Sequence, residues 1–496
     1  MNTAGGAMFG GGNFEVYGLP ATSNLFTLDG SNDNDPYFNV NNSGATNLTL
    51  GLNDISESTV VANGYSGAYG GLAGANVNYV TKSGSNAFHG NAIYWWNGDI
   101  LNANNYFRNQ ANGLAGSQVD PRPFVNANQF AGSIGGPLKK DKAFFFFDVE
   151  GLQLAIPSPQ SLSVPTPAFQ SAVIGNLNTL GLSASVPFYN TIFGLYNRVS
   201  QAGAKQEGGG GCNDATLVNG IAFGAINPCA VSVNAALSAH THDRLYVGKY
   251  DMNIGHNDKL FMRVEKEHGL QATYTDGIDP AFNVISDQPQ WQSQIGETHI
   301  FGTDKVNDFK ASVLWYSAGF AMQSQAAAAA ALSIPGTATG SMTFALGDGS
   351  LSALNADNTV IPQGRNITQY QFVDDFSWVR GRNNFKVGIN FHRDDISDQN
   401  FLYVTPLVVP LSLGNFATGG TGGTQPSLIQ QNFPSRTEVP IALYQVGFYG
   451  ADDVRVTRNL KLTLSLRLDH LSNPVCQINC FQRLAPGAVS YTHLSW

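Results

Sequence analysis

The chain has 496 residues and a formal net charge of −9; 12% of residues are charged, 11% are aromatic and 55 are glycine. The acidic balance disfavours a nucleic-acid partner. The charged share is about half the usual roughly 25%, yet no apolar run approaches the roughly 20 residues of a membrane helix, which implies apolar residues that alternate with polar ones.

Residues 1–86 are rich in Gly and Asn. The N-terminus, MNTAGGAMFGGGNFEVYG, has neither a basic n-region nor an apolar h-region, so it carries no recognisable signal peptide. Asn24–Gly30 reads as a strand, followed by the acidic, turn-rich Ser31–Pro36. That turn lacks the sixth-position Gly and terminal Glu of an EF-hand, so it reads as a solvated turn rather than a calcium loop. The glycine-dense Gly64–Gly74 leads into a buried strand, Asn76–Thr81, ended by the turn Lys82–Asn86.

From Phe88 onward a hairpin pattern repeats. Leu460, Leu462, Leu464, Leu466 and Leu468 alternate with Lys461, Thr463, Ser465, Arg467 and Asp469. Phe385, Val387, Ile389 and Phe391 alternate with Lys386, Gly388, Asn390 and His392, and Leu260, Met262 and Val264 with Phe261, Arg263 and Glu265. Period two places each set on one face of a strand. Eleven strands follow, at roughly 88–97, 128–137, 143–152, 244–254, 259–267, 292–301, 308–319, 367–379, 384–393, 441–454 and 459–471. Short turns (Lys139–Lys142, Gly255–Asp258, Gly302–Asn307, Arg380–Asn384, Arg455–Asn459) alternate with long loops at about 97–127, 153–243, 268–291, 320–366 and 393–440. Short connections on one side and long ones on the other imply an all-β, transmembrane antiparallel barrel with periplasmic turns and extracellular loops. Lipid covers the apolar face and water or polar protein the charged one. A soluble β-sandwich would need turns every 8–12 residues and a second sheet. Eleven is odd, whereas bacterial single-chain barrels have even strand numbers, so the chain is expected to stop partway round.

No nucleotide, hydrolase or zinc-protease motif stands in a supporting context, and no cofactor or catalytic residue is expected. His240-Thr241-His242 reads as a solvated pair in an outer loop. Asp374-Asp375, Asp394-Asp395 and Asp452-Asp453 read as solvation at the strand rims. Tyr94, Trp95 and Trp96 read as a membrane-interface girdle, and Phe144–Phe147 as a mixture of girdle and inward-facing residues. The cysteines fall in two local pairs, Cys212 with Cys229 and Cys476 with Cys480, both on the extracellular side. They are expected to be disulfides, the first contributing about 3 kcal/mol on the chain-entropy account.

Gly74–Gly90 (GANVNYVTKSGSNAFHG) resembles the plug-to-barrel junction of TonB-dependent outer-membrane receptors, in particular the Oar-like branch. Phe26–Pro36 resembles a plug segment of that branch, Asn128–Phe147 its first barrel hairpin, and Gln445–Leu460 a later one. The resemblance implies a plug over residues 1–86 and the first half of a 22-stranded barrel over 87–496, with Val80, Thr81, Lys82, Ser83 and Gly84 at the junction. It also implies active import through the outer membrane of a Gram-negative bacterium. The implied partners are lipid, the TonB energy-transducing complex and an unidentified small-molecule, glycan or peptide ligand. A signal peptide, a TonB box and an N-terminal extension would precede this sequence. A passive porin, a surface adhesin and a glycan-binding β-protein are the alternatives.

Overall fold

The computed structural model describes residues 13–42, 44, 46, 48, 51, 53–62, 67–69, 71–115, 122–201, 204–206, 216–218, 220–224, 227–235, 237–333, 340–356, 361–400, 404–420, 427–433 and 436–478. Four short strands, β1 (Leu25–Leu28), β2 (Ser31–Asn32), β3 (Ile55–Val61) and β4 (Asn76–Thr81), form a small sheet in the order β2-β1-β4-β3. Strands β1 and β4 pair in parallel, with Phe26 opposite Val77, and both side chains are buried. The β1–β2 turn is Asp29-Gly30, both with positive φ, the tight-hairpin conformation that an Asp-Gly pair favours.

A second sheet is separate from the first. It comprises β5 (His89–Gly98), β6 (Asn126–Lys139), β7 (Ala143–Pro157), β8 (Ser238–Ile254), β9 (Asp258–Tyr274), β10 (Val284–Phe301), β11 (Lys305–Met322), β12 (Gln363–Arg380), β13 (Asn383–Asn400), β14 (Val439–Arg455) and β15 (Lys461–Leu471). Each strand pairs antiparallel with its neighbour in chain order, and β5 and β15 form the two ends. These eleven are the strands that the alternation predicts; a twelfth, the two-residue Val475–Cys476, pairs antiparallel with the outer end of β14.

The two faces of the wall differ in chemistry. Along β10 the inward Ser286, Gln288, Gln290, Gln292 and Gln294 are buried against the small sheet, while the outward Trp291 and Ile295 are exposed. Leu462, Leu464, Leu466 and Leu468 on β15 all face outward. In register across the outward face run Tyr246, Lys266, Trp291 and Trp315, with the Lys266 ammonium over the Trp291 ring. Phe301, Phe376, Trp378 and Phe385 form a second aromatic row near the short turns. Ten residues of β10 separate the two rows; at about 3.4 Å per residue and the usual barrel tilt this is about 25 Å along the membrane normal, the height of an outer-membrane apolar band.

The strands run further outward than the alternation shows. The stretch 268–291, expected to be a loop, is mostly strand, leaving only residues 275–283 as the connection between β9 and β10. His240-Thr241-His242 likewise lies within β8. The reason is solvent. Above the lipid both faces of a strand meet polar surroundings, as at the exposed His268–Asp287 pair. Backbone pairing continues there while the apolar/polar contrast disappears.

The connections after β7, β11 and β13 fold together as one outer cap, whereas the connection between β5 and β6 leaves Ile100, Leu101, Tyr106 and Phe107 exposed. Helices Pro167–Thr179 and Val186–Tyr196, the strand Ala230–Ala235 and segments around Phe344, Leu354 and Phe416 share an apolar core. The first helix is capped by the Thr166 hydroxyl, which accepts from Phe169 N, with Pro167 at its first position. The Tyr189 hydroxyl donates to Phe416 O (2.7 Å) and the Tyr196 hydroxyl to Ser352 O (2.5 Å), tying three loops to one another.

A test of the lipid-facing assignment is Leu466→Arg, on a side chain 79% exposed at the middle of β15. In vesicles the full-length protein is expected to lose about 2–4 kcal/mol of unfolding free energy, the cost of a cation near the bilayer midplane. No loss in urea titrations would contradict the assignment.

Candidate functional site between plug and wall

The small sheet sits inside the wall as a plug, and the contacts between them start at the junction. The Asp29-Gly30 turn aims the Asp29 carboxylate at Thr81, whose backbone N–H (2.9 Å) and hydroxyl (2.6 Å) both donate to it. From β8, the Lys249 ammonium donates to the Thr81 hydroxyl (2.8 Å) and pairs with Asp29 (3.4 Å). The Lys82 N–H donates to Asp54 O and its ammonium reaches Asn53 (3.3 Å). Gly84 lies against the β6 and β7 backbones: a Cβ there would stand 2.3 Å from Phe145 O and 2.8 Å from Gly136 O, so only glycine fits the crossing. Val80 pairs with Glu57 of β3, and the Ser83 side chain bonds to that of Asp251 on β8.

Deeper in, the plug turn around Asn53–Asp54 is held by an ion cluster. Arg263 of β9, 1% exposed, donates to Asp54 (3.0 Å), to Glu265 (2.5 Å) and to Gln292 (3.1 Å). Gln292 passes the link on to Asp33 (3.3 Å). Asn53 donates through its backbone to Glu150 (2.8 Å) and through its amide to Asp148 (2.7 Å). One guanidinium is therefore shared between two buried carboxylates. Burial lifts the Asp54 carboxyl to about 7; Arg263 opposes that rise and Glu265 adds to it. Asp33 is pushed up as well, first by burial and then by Glu265.

At the outer end of the lumen, Asp35 on the plug accepts from the Tyr316 hydroxyl of β11, and Arg365 of β12 donates to the same hydroxyl (3.1 Å). The Arg365 guanidinium also lies over the rings of Tyr37 (4.6 Å) and Phe38 (4.9 Å), both partly exposed. This aromatic and cationic patch joins the plug to β11 and β12. No chemistry-bearing motif announced it; its residues lie almost 330 positions apart.

Several expected residues fall differently from their sequence reading. Strand alternation splits the proposed girdle: Tyr94 and Trp96 face outward, donating to Asn128 (2.6 Å) and Asn126 (3.0 Å), while Trp95 shares the inward face with Asn91, which bonds Asn53 of the plug. Asp394 is not at a rim but buried inside the wall, accepting from Gln369 (3.0 Å), because β13 continues to Asn400. Asp375 meets Lys386 (3.3 Å) and the Tyr449 hydroxyl inside, whereas Asp374 accepts from Asn307 (2.7 Å) on the outward face. Phe144–Phe147 divides as expected, with Phe146 buried inward and Phe147 outward. Cys229 and Cys476 are disulfide-bonded, on the cap and beyond the outer end of β15; Cys212 and Cys480 lie outside the described residues. Among the described residues, Asp258, Glu297 and His299 bring three potential metal-ligand atoms together. They lie on the outward face, remote from the plug, with His299 already bonded to Asp258.

A two-faced antiparallel wall around a polar plug is the architecture of plugged outer-membrane barrels. Residues 80–494 match the outer membrane beta barrel domain family, and the chain belongs to it. Its place is accordingly the outer membrane of a Gram-negative bacterium. The chain is 30% identical over 132 residues to the "TonB-dependent transporter Oar" of Myxococcus xanthus, covering 26% of this chain and 12% of that protein. The outer membrane transporter YddB from Escherichia coli is similar in structure, with a TM-score of 0.55 at 10% identity over 94% of this chain and 51% of that one. The siderophore receptor PirA from Pseudomonas aeruginosa aligns with a TM-score of 0.47 at 9% identity, over 93% of this chain and 51% of that one. The chain thus spans about half the length of these solved relatives, and at such identities the likeness to YddB is one of fold.

The raised Asp54 carboxyl gives docking of the plug a pH dependence. An ordinary carboxyl titrates near 4, so a docked plug holds a proton that a freed plug releases. The Asp54 contribution to docking is fully present below about pH 4 and is lost as pH rises through about 7. Urea release of the plug, followed by limited proteolysis in vesicles, is expected at lower urea as pH rises, with a shallower slope in Asp54→Asn. Arg263→Met leaves two buried carboxylates without their cation and is expected to cost about 3–5 kcal/mol of docking in the same assay.

Proposed function

We propose that this chain forms the plug and part of the wall of a TonB-dependent receptor that imports a ligand across the outer membrane. One observation carries the reading: among the described residues the plug shares no backbone ladder with the wall. Side-chain ion pairs and hydrogen bonds hold it, so it can be displaced without opening the wall sheet. A permanent structural core would gain from continuous pairing; a movable stopper needs contacts that reform.

In this reading a ligand settles beneath the cap, against Tyr37, Phe38 and Arg365. The TonB complex then pulls on a segment that precedes the plug in the working protein. The wall bears no catalytic step. Further strands meet the open edges of β5 and β15 and complete a 22-stranded barrel, since unpaired strand edges are not tolerated in lipid. Cys212–Cys229 and Cys476–Cys480 staple the outer surface, where oxidation persists.

The test compares the full-length natural protein with a version lacking the plug segment, residues 1–86. In planar bilayers the intact protein is expected to be nearly silent and the deleted one to conduct steadily. In parallel, the intact protein is expected to bind the periplasmic domain of TonB. Equal, large conductance from both would favour a passive porin.

A further inference from the structure

The plug is not held equally all round. Against β7–β10 it is bolted. Arg263 grips Asp54, and Asp148 and Glu150 grip Asn53; Asn42 donates to Gln290 (3.1 Å) and Gln294 to Ser31 (2.8 Å). The wall side chains in these contacts are almost fully buried. Against β11–β15 the plug stands off over part of its surface. A cavity of about 640 Å³ lies there, between β1, β2 and β4 of the plug and the inward faces of those five strands. Among the described residues the plug meets these strands at three places: at its outer end Asp35 accepts from the Tyr316 hydroxyl and Arg365 lies over Tyr37 and Phe38; near its middle the Asn32 N–H donates to Gln371 (2.7 Å); at its far end Gly67 meets Ser465 and Arg467.

The cavity lining has a definite chemistry. Amide side chains dominate, among them Asn32, Asn76, Asn78, Gln371, Asn390 and Gln445. Its charges balance: Asp308, Asp375 and Asp394 stand against Lys310, Lys386 and Arg467. Most are neutralised locally, Lys310 by Asp308, Lys386 by Asp375 and Arg467 by Asp469. Amides both donate and accept, so they match hydroxyl and amide groups without preferring either sign of charge.

We infer that the plug opens along β11–β15 while staying anchored to β7–β10, and that the passage so formed recognises its solute by hydrogen bonding rather than by charge. The inference rests on the transporter reading above. Separating the few hydrogen bonds at Asn32, Gly67 and Asp35 and widening a polar space costs less than unpairing the desolvated cluster that Arg263 forms with Asp54 and Glu265. Displacement therefore starts on the side of the cavity.

The test is thiol labelling of the full-length natural protein in its own outer membrane. Single cysteines are introduced at Asn390→Cys and Gln445→Cys on the passage, and at Gln290→Cys and Gln292→Cys on the anchored wall. Each is labelled with an anionic and a cationic methanethiosulfonate, with and without a protonophore, and every rate is divided by that of the reagent with free cysteine. Energisation is expected to speed labelling at 390 and 445 by about tenfold or more, as a population shift toward an open state requires, and to leave 290 and 292 unchanged. Normalised anionic and cationic rates are expected to agree, since a charged passage would separate them by about tenfold or more. An energised rise at 290 and 292 equal to or above that at 390 and 445 overturns the location. A strong preference for one reagent overturns the recognition by hydrogen bonding. No response to energisation at any of the four positions overturns the transporter reading itself, and this inference with it.

Discussion

Hydrocarbon offers no partner to a backbone N–H or C=O, and that constraint organises the whole molecule. Each wall strand must be paired along its length, so the chain goes up and down in strict sequence from β5 to β15. The same constraint makes each strand two-faced. Leucines and aromatics meet lipid, and whatever the other face carries must be satisfied inside. Here that inner face is crowded with glutamines, carboxylates and a few cations. A polar plug, itself rich in asparagine, satisfies many of them.

The plug and the wall therefore complete one another chemically. Arg263 would be an expensive burial on its own; between Asp54, Glu265 and Gln292 it becomes the strongest tie in the lumen. The tie is local to one side. Across the lumen the contacts thin out into an amide-lined space. A plug fixed on one side and loose on the other is a stopper with a built-in direction of opening. Its outer surface, at Tyr37 and Phe38, lies beside Arg365, so a ligand at that patch would touch plug and wall at once.

Above the membrane the connections after β7, β11 and β13 are not independent loops. Their apolar residues form a single core, with Tyr189, Phe193, Phe344 and Phe416 ring to ring. The cap therefore behaves as one body mounted on the outer ends of β7–β14.

Much of this was legible in the chain. Period-two alternation along residues such as Leu460–Leu468 identified the wall strands and their lipid face, because lipid imposes its contrast on every second residue. The alternation of short and long connections set which ends face the periplasm. Gly84 lay in a turn that the sequence marked, whereas Asp29-Gly30, read as the end of a strand, is itself the turn and Ser31–Asn32 the returning strand. Three things needed the tertiary structure. The outer halves of the strands carry no alternation, since water bathes both their faces. The cap's core comes from segments almost 250 residues apart whose local patterns look like ordinary loops. The partners of Arg263 were invisible for the same reason: Asp54 lies 209 residues away, and only the closing of the wall around the plug brings a lone arginine and a lone aspartate within a hydrogen bond of each other.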